Sequence, residues 1–465
     1  MSAESVAASY RDPSGFVYRR EGVLYRQINH SFRDSFDHFI KSGLYDELVA
    51  DELLVPHSDA DRSLAATDDA YRVIQPRVVP FISYPYEWAF SQLKDAALLT
   101  LDIQRRALKR GLVLRDATAY NVQMADGRPV FIDTLSFGRY TEGEPWVGYR
   151  QFCQHFLAPL ALMARRDVRL GMLHAQFSDG VPLDLASTLL DLRSRANLGL
   201  LLHLHLHARA QRKYADRPAE SAVQARRARL ERPALERLLD HLGSTIAGLS
   251  WNPAGSEWAG YEQDNSYTER SLTEKETLVR DFLARVGPKV TWDLGANTGN
   301  FSRIAAGLGS RVLAVDGDPG AVELNYLRGK RAGERNVIPL LVDLLNPSPA
   351  SGWANEERTA LRDRGPADAV LALALIHHLT LSGNVPLPKV AAFFAELADS
   401  LIIEWVPLQD PQSQRLVVSR REPPHAYTIE NFEAAFARHF ETLDSRQLEG
   451  SERRLYLMAR KQTRA

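Results

Sequence analysis

Asp293 and Asp316 frame the part of this sequence whose residue types and spacing say most about chemistry. Asp293 begins Asp293-Leu-Gly-Ala-Asn-Thr-Gly299, and Asp316 closes the run Arg311-Val-Leu-Ala-Val-Asp316. Each acid ends an apolar, β-type run and so stands near a strand tip. The glycines between them read Gly295-x-x-x-Gly299. A Gly-x-Gly-x-x-Gly turn would aim backbone N–H groups and a helix N-terminus at a pyrophosphate. A bend from Gly295 to Gly299, with only Ala296, Asn297 and Thr298 inside it, suits a ligand segment without phosphate lying against bare backbone. Asp293 would face an ammonium group, directly or through water. Asp316 and Gly317 follow at the spacing where a carboxylate accepts from ribose hydroxyls. A third apolar run, 336–344, ends at Asp343 and Leu344, placing Asp343 to accept from an adenine amino group. The implied ligand is a nucleoside carrying an amino-acid tail.

Two further runs bring candidate acids and bases to the same edge. Ala367–Leu375 leads through Ala374 into Ile376-His377-His378-Leu379, and Ser400–Trp405 carries Glu404 near its end. Open α/β sheets bind ligands beyond the carboxyl ends of their strands. His377 or His378 is therefore the candidate general base, and Glu404 would orient an acceptor or a neighbouring side chain. The competing reading has one imidazole bonded to backbone and the other packed near adenine. Asn300 and Phe301 open the helix after the bend. Upstream, Trp258-x-x-Tyr261 and Tyr267 precede a helix over Thr273–Leu283, and Tyr261 or Tyr267 would wall the ligand.

The elements that must hold these groups alternate: apolar strand, amphipathic helix, apolar strand, the pattern of an α/β domain with a largely parallel sheet. Asp318-Pro319 starts a helix, Thr428 caps another, and two late strands near 440–448 and 453–461 form an antiparallel pair. With those motifs in order, residues 265–465 resemble the class I S-adenosyl-L-methionine (SAM)-dependent methyltransferases. The resemblance implies a Rossmann-like sheet of seven strands with SAM over the tips of the first ones. It also implies cofactor contacts from Asp293 through Phe301, Asp316, Gly317, Asp343, Leu344 and Ala374. The fourth strand lacks the Asn/Asp-Pro-Pro-aromatic signature used on adenine or glutamine nitrogens. Small molecules, sugars, carboxylates and hydroxyls remain as acceptors.

A second constellation lies in the N-terminal half. Leu114-Arg-Asp-Ala-Thr-Ala-Tyr-Asn121 has the spacing of the His-Arg-Asp-x-x-x-x-Asn loop of protein kinases. Asp126-Gly127 then predicts a hairpin whose partners sum to 253, setting Asn121 beside Asp133. Ile82–Trp88 and a helix over Ser91–Arg110 resemble a hinge and the first long helix after it. Residues 1–210 therefore resemble an α+β protein-kinase-like or aminoglycoside-phosphotransferase-like domain, with 211–264 a helical connector and loop. The resemblance implies Asp116 at the base position and Asn121 and Asp133 toward ATP and magnesium. Against phosphate transfer, there is no glycine-rich loop, no Val-Ala-Ile-Lys, and Asp133-Thr-Leu stands for Asp-Phe-Gly. The half reads as a degenerate, recognition-type scaffold. The alternatives are a bifunctional methyltransferase and phosphotransferase, or a SAM-binding scaffold that is not an enzyme. Taken whole, Arg115–Asn121 with Trp292–Gly299 resembles bacterial proteins grouped with the nodulation protein NoeA.

Composition sets the bounds. The 465 residues carry 57 basic and 58 acidic side chains, a balance that asks for no nucleic-acid partner. A single cysteine excludes an internal disulfide or a cysteine-built zinc site. No apolar run approaches the roughly 20 residues of a membrane helix, and no signal peptide is read at the N-terminus, so a cytoplasmic protein is expected. His203, His205 and His207 lack the His-Glu-x-x-His pattern of a zinc helix, where only positions i and i+4 share a face, and no metal is expected.

Overall fold

The computed structural model describes residues 3–214, 229–253, 269–418 and 426–462. The chain divides into two units, Met1–Trp251 with Ser351–Arg358, and Asn252–Ala350 with Thr359–Ala465. Among the described residues no helix is long and apolar enough to cross a membrane.

The first unit opens with an antiparallel sheet of β1 (Glu4–Ser5), β2 (Gly15–Arg20), β3 (Val23–Asn29), β4 (His57–Ala60) and β5 (Ala70–Pro76), in the order β1-β2-β3-β5-β4. Glu21 and Gly22 turn β2 into β3 with φ of 53° and 79°, the positive values a tight two-residue hairpin requires. Between β3 and β4, α1 (Arg33–Lys41) buries Phe36 and Phe39, and the Phe39 ring stacks on Phe137 at 4.3 Å. The rest of the unit is mainly helical. Its long α2 (Phe90–Lys109) supports an antiparallel pair, β6 (Leu112–Leu114) with β9 (Phe137–Arg139), and between them in sequence a hairpin, β7 (Val122–Ala125) with β8 (Arg128–Phe131). Val122 pairs with Phe131 and Ala125 with Arg128 across Asp126 and Gly127, both at positive φ, which is the register expected from the Asp-Gly pair.

The helix expected as a connector lies inside this unit. In α3 (Arg232–Ala247), Leu235, Leu239, Leu242 and Ile246 recur at helical spacing and are wholly buried. Arg105 of α2 donates to the Leu239 carbonyl at 2.9 Å. An apolar stripe of that width needs a partner surface, so residue 210 is not where the unit stops.

The second unit is one sheet with helices on its faces. Strands β10 (Val290–Leu294), β11 (Arg311–Asp316), β12 (Val337–Leu341), β13 (Ala367–Ala372), β14 (Ala398–Trp405), β15 (Phe440–Gln447) and β16 (Arg454–Arg460) lie in the order β12-β11-β10-β13-β14-β16-β15. The first five are parallel, and β16 runs antiparallel to both β14 and β15. Strands covered on both faces must be apolar almost throughout, which is why Leu371, Ala372, Ile402 and Ile403 follow one another without polar breaks. The covering helices include α4 (Glu269–Val286), α5 (Asn300–Gly307), α6 (Pro319–Ala332), α7 (Leu387–Leu397), α8 (Pro411–Val417) and α9 (Ile429–Phe436). Val279, Phe282 and Leu283 of α4 meet Ala305, Val312, Leu371 and Ile402 in one core. Chain order reverses between β10 and β13, and such a switch point opens a crevice at the carboxyl ends of the strands.

Candidate active site

At the tip of β10 the backbone takes positive φ three times within five residues: Gly295 at 74°, Asn297 at 49° and Gly299 at 83°. Both Gly295 and Ala296 donate N–H groups to the Val315 carbonyl, at 2.8 and 2.9 Å, which ties the bend to β11. Side chains are excluded on both glycines. A Cβ at Gly295 would lie 3.2 Å from Leu375, and one at Gly299 would lie 2.5 Å from the Asn325 amide and 2.6 Å from Arg303. Arg303, one turn into α5, donates to the carbonyls of Thr298 and Gly299 at 2.8 and 3.0 Å and pairs with Glu334 at 2.8 Å. It locks the bend from below. The sequence reading did not single it out, although an arginine one turn after a glycine bend is placed to reach the bend's carbonyls.

Asp316 lies across from this bend at the tip of β11. Its Oδ2 accepts the Asn297 N–H and its Oδ1 the Asp318 N–H, each at 2.8 Å. A carboxylate has about four lone-pair positions, so these backbone donors do not exhaust it. Burial pushes Asp316 up to about 6 against the pull of those N–H donors. Gly317, between Asp316 and Asp318, leaves ordinary van der Waals space beside the Asp343 backbone. Asp343 is exposed, with Oδ1 accepting the Leu345 N–H at 2.8 Å. Asp293 differs: it is buried behind the bend, where Ser302 donates to it at 2.6 Å, and burial raises it to about 6. Asn300 accepts from Arg328 at 2.6 Å, and the Phe301 ring carries the Lys275 ammonium at 4.8 Å.

Two of the three residues expected to do chemistry have no access to the crevice. Glu404 is fully buried, and its Oε2 accepts from Lys275 at 2.7 Å and from the Ala374 N–H at 2.8 Å. Arg453 stands 3.6 Å from its other oxygen and is itself clamped by Asp410 at 2.7 and 3.0 Å. Glu404 therefore positions Ala374, whose φ of 48° needs holding, and does not reach outward. His377 is also fully buried, and both ring nitrogens lack a hydrogen-bond partner. Burial, then the neighbouring His378, Arg453 and Lys275, keeps it neutral. His378 is half-buried, with its ring 4.3 Å from that of His377; burial and Arg453 lower it to about 4. It is neutral, and so able to accept a proton, at physiological pH. Lys275 was missed by the sequence reading. Its signal was a lone lysine in step with Ser271, Val279 and Phe282 on the buried stripe of α4. Tyr261 and Tyr267 lie outside the described residues.

In the first unit the structure assembles the expected trio. The Ile132 N–H donates to the Asn121 carbonyl at 2.9 Å, and the Asn121 amide donates at 3.2 Å to Ser136, whose hydroxyl donates to Asp133. Asp116 accepts the Thr118 N–H at 3.0 Å; burial and the nearby Asp133 raise it. Arg26 of β3, which the sequence reading passed over, forms an ion pair with Asp133. The three histidines each find ordinary partners. His203 bridges Tyr149 and His241 at 2.8 Å each, His205 sits between Ser187 and Ser194 at 2.8 and 2.9 Å, and His207 stacks on Tyr149.

No protein-family model matches the chain. Among curated proteins, the nodulation protein NoeA of Rhizobium meliloti (strain 1021) is 36% identical over 459 residues, spanning 98% of this chain and 96% of its own length. Among solved structures, the N-methyltransferase NodS of Bradyrhizobium japonicum WM9 is 15% identical over 42% of this chain and 98% of its own, with a TM-score of 0.32. The bifunctional kinase-methyltransferase WbdD is 15% identical over 43% of this chain and 41% of its own, with a TM-score of 0.31.

Two substitutions test the geometry. Lys275→Ala strips Glu404 of its nearest cation inside the fold, and breaking such a pair costs about 3–5 kcal/mol; a urea titration should show the midpoint fall accordingly. Asp293 rises from the usual 3.8 to about 6 on folding, so the folded chain binds the extra proton between those values and stability falls as pH increases through that window. Asp293→Asn should therefore raise the unfolding free energy of the ligand-free protein at pH 7 by up to about 3 kcal/mol and flatten its dependence between pH 4 and 6. A thermal melt series across that range checks both.

Proposed function

The chain belongs to the family of the nodulation protein NoeA, and on that premise we propose that it is a SAM-dependent methyltransferase acting on a small-molecule or saccharide acceptor. The observation that carries the reading is the pairing at the crevice. A bend bare of side chains ends β10, and an acid with both oxygens braced by backbone N–H groups ends β11. The sheet has the seven strands that the class I methyltransferase resemblance implies, with a late antiparallel pair beside β14.

The residues fit the cofactor. Gly295 and Gly299 supply the positive φ that the bend needs, and a Cβ there would press on Leu375 or on Asn325 and Arg303, so the bend carries no side chain at either position and offers bare backbone to the methionine part. Asp316 has acceptor capacity left for ribose hydroxyls, and exposed Asp343, with half-buried Leu344 beside it, supports the reading of an adenine contact at the end of the third strand. Asp293, buried behind the bend, acts on the ammonium through its charge and through the backbone it supports. Bound here, the sulfonium supplies an electrophilic methyl group.

The chain's own part is alignment and proton removal. Holding an acceptor in line with the S–CH₃ bond is worth several kcal/mol, up to about 7–11 in ideal intramolecular cases. His378 is the group at this edge that is both accessible and neutral, so it accepts the proton of an amine or hydroxyl acceptor as the new bond forms. Lys275, Glu404 and Arg453 fix Ala374 and with it the entry to the His377-His378 turn. The first unit, in this reading, is a kinase-like domain that selects the acceptor. The absence of a glycine-rich loop and of Asp-Phe-Gly supports a scaffold over a second transferase.

Gly295→Arg should abolish binding of S-adenosylhomocysteine in isothermal calorimetry while leaving the far-UV circular dichroism spectrum intact; unchanged affinity would remove the cofactor site. His378→Asn should lower kcat by about 10²–10⁴ with little change in the KM for SAM. A carboxylate acceptor, which needs no base, would instead leave kcat untouched. Metabolite profiling of a deletion strain for a product lighter by one methyl group identifies the acceptor.

A further inference from the structure

Kinase-like domains use a divalent ion at two of the positions found here, Asn121 and Asp133. The residues present do not fit that ion. Asp133 gives one oxygen to Arg26 and the other to Ser136, so the acid a metal would need is already neutralised by a guanidinium fixed on the central strand β3. The Arg26 and Asp133 side chains are 11% and 15% exposed, which shields the pair from competing ions.

Two features explain why Arg26 is available. Asp37 of α1 is occupied by the Tyr71 hydroxyl at 2.8 Å and by Lys41, so that acid of the helix beside β3 is otherwise engaged. The helix is pinned by the Phe39–Phe137 stack. The peptide groups of the hinge-like segment are engaged as well. In the segment that resembles a hinge, Ser83 is fully buried, and the side-chain amide of Gln123 takes both its peptide groups. Gln123 accepts the Ser83 N–H at 2.8 Å and donates to the Ser83 carbonyl at 3.0 Å. A planar base would need such a donor and acceptor pair to be free.

We propose that the first unit fills its own nucleotide cleft. Arg26 is a built-in cation in the place of a divalent ion at Asp133, and the Gln123 amide stands in for the edge of a base at Ser83. The domain is thereby closed to metal-dependent phosphoryl transfer, and removing the guanidinium would free Asp133, with Asp116 and Asn121 near it, to take a cation. The inference deepens the scaffold reading given above.

The experiment is Mn²⁺ binding to the full chain by electron paramagnetic resonance, with and without millimolar ATP. The unaltered protein should take up no saturable Mn²⁺ and no ATP. Arg26→Met should gain a site at least about tenfold tighter than any in the parent, and adding Asp133→Asn should remove it. Should Arg26→Met fail to fold, as judged by circular dichroism, Arg26→Gln serves the same purpose with a shape closer to arginine. Mn²⁺ or ATP bound by the unaltered protein and lost in Asp133→Asn overturns the inference and the scaffold reading together. Folded Arg26 variants that gain no ion, while the parent binds no ATP, overturn the inference alone.

Discussion

Three positive φ angles in five residues are the constraint on which the second unit turns. L-residues with side chains avoid that region at roughly 1–2 kcal/mol each, so the bend after β10 exists only because Gly295 and Gly299 carry none and Asn297 tolerates it. The bend is then held from two sides. Val315 takes two of its N–H groups and Asp316 a third, while Arg303 takes its carbonyls from beneath. Satisfying the backbone this way leaves its outer surface bare yet rigid. The same contacts orient Asp316: the N–H groups of Asn297 and Asp318 fix the plane of its carboxylate.

Around that bend the unit buries charge. Lys275, Glu404, Arg453 and Asp410 form a network with almost no exposure. Such networks contribute little net stability compared with apolar packing, and their value lies in geometry. Here the geometry is specific: one Glu404 oxygen accepts both a helix lysine and the N–H of Ala374, fixing where β13 releases the chain toward His378. The orphaned His377 ring is tolerated in the same spirit, because two adjacent cations and deep burial keep it uncharged.

Much of this was legible in the residues. Strand tips, the glycine bend, the spacing of Asp316, the antiparallel closing pair and the 121–133 register all follow from local rules of period and turn chemistry, which need no knowledge of distant neighbours. What escaped reading depends on partners far apart in the chain. Glu404 reads as a strand-end acid until Lys275, over a hundred residues earlier, is folded against it. Arg26 reads as an ordinary residue of an alternating strand, and no lysine motif marks it. His377 and His378 are indistinguishable in sequence, and only the turn after β13 decides which ring is fully buried and which is half-buried. The connector boundary failed for a related reason: the apolar stripe of α3 is visible, but its partner on α2 is not.

The two units meet one electrostatic problem in opposite ways. Each gathers carboxylates at a cleft, and uncompensated acids close together in a shielded place resist ionisation. In the second unit, burial leaves Asp293 and Asp316 raised to about 6, and the donors braced against Asp316 are neutral N–H groups. Neutral donors offset that cost only in part, so both acids keep their raised values in the folded chain. In the first unit Asp133 is paired with Arg26. A cleft that has satisfied its own acid retains little drive to capture an ion.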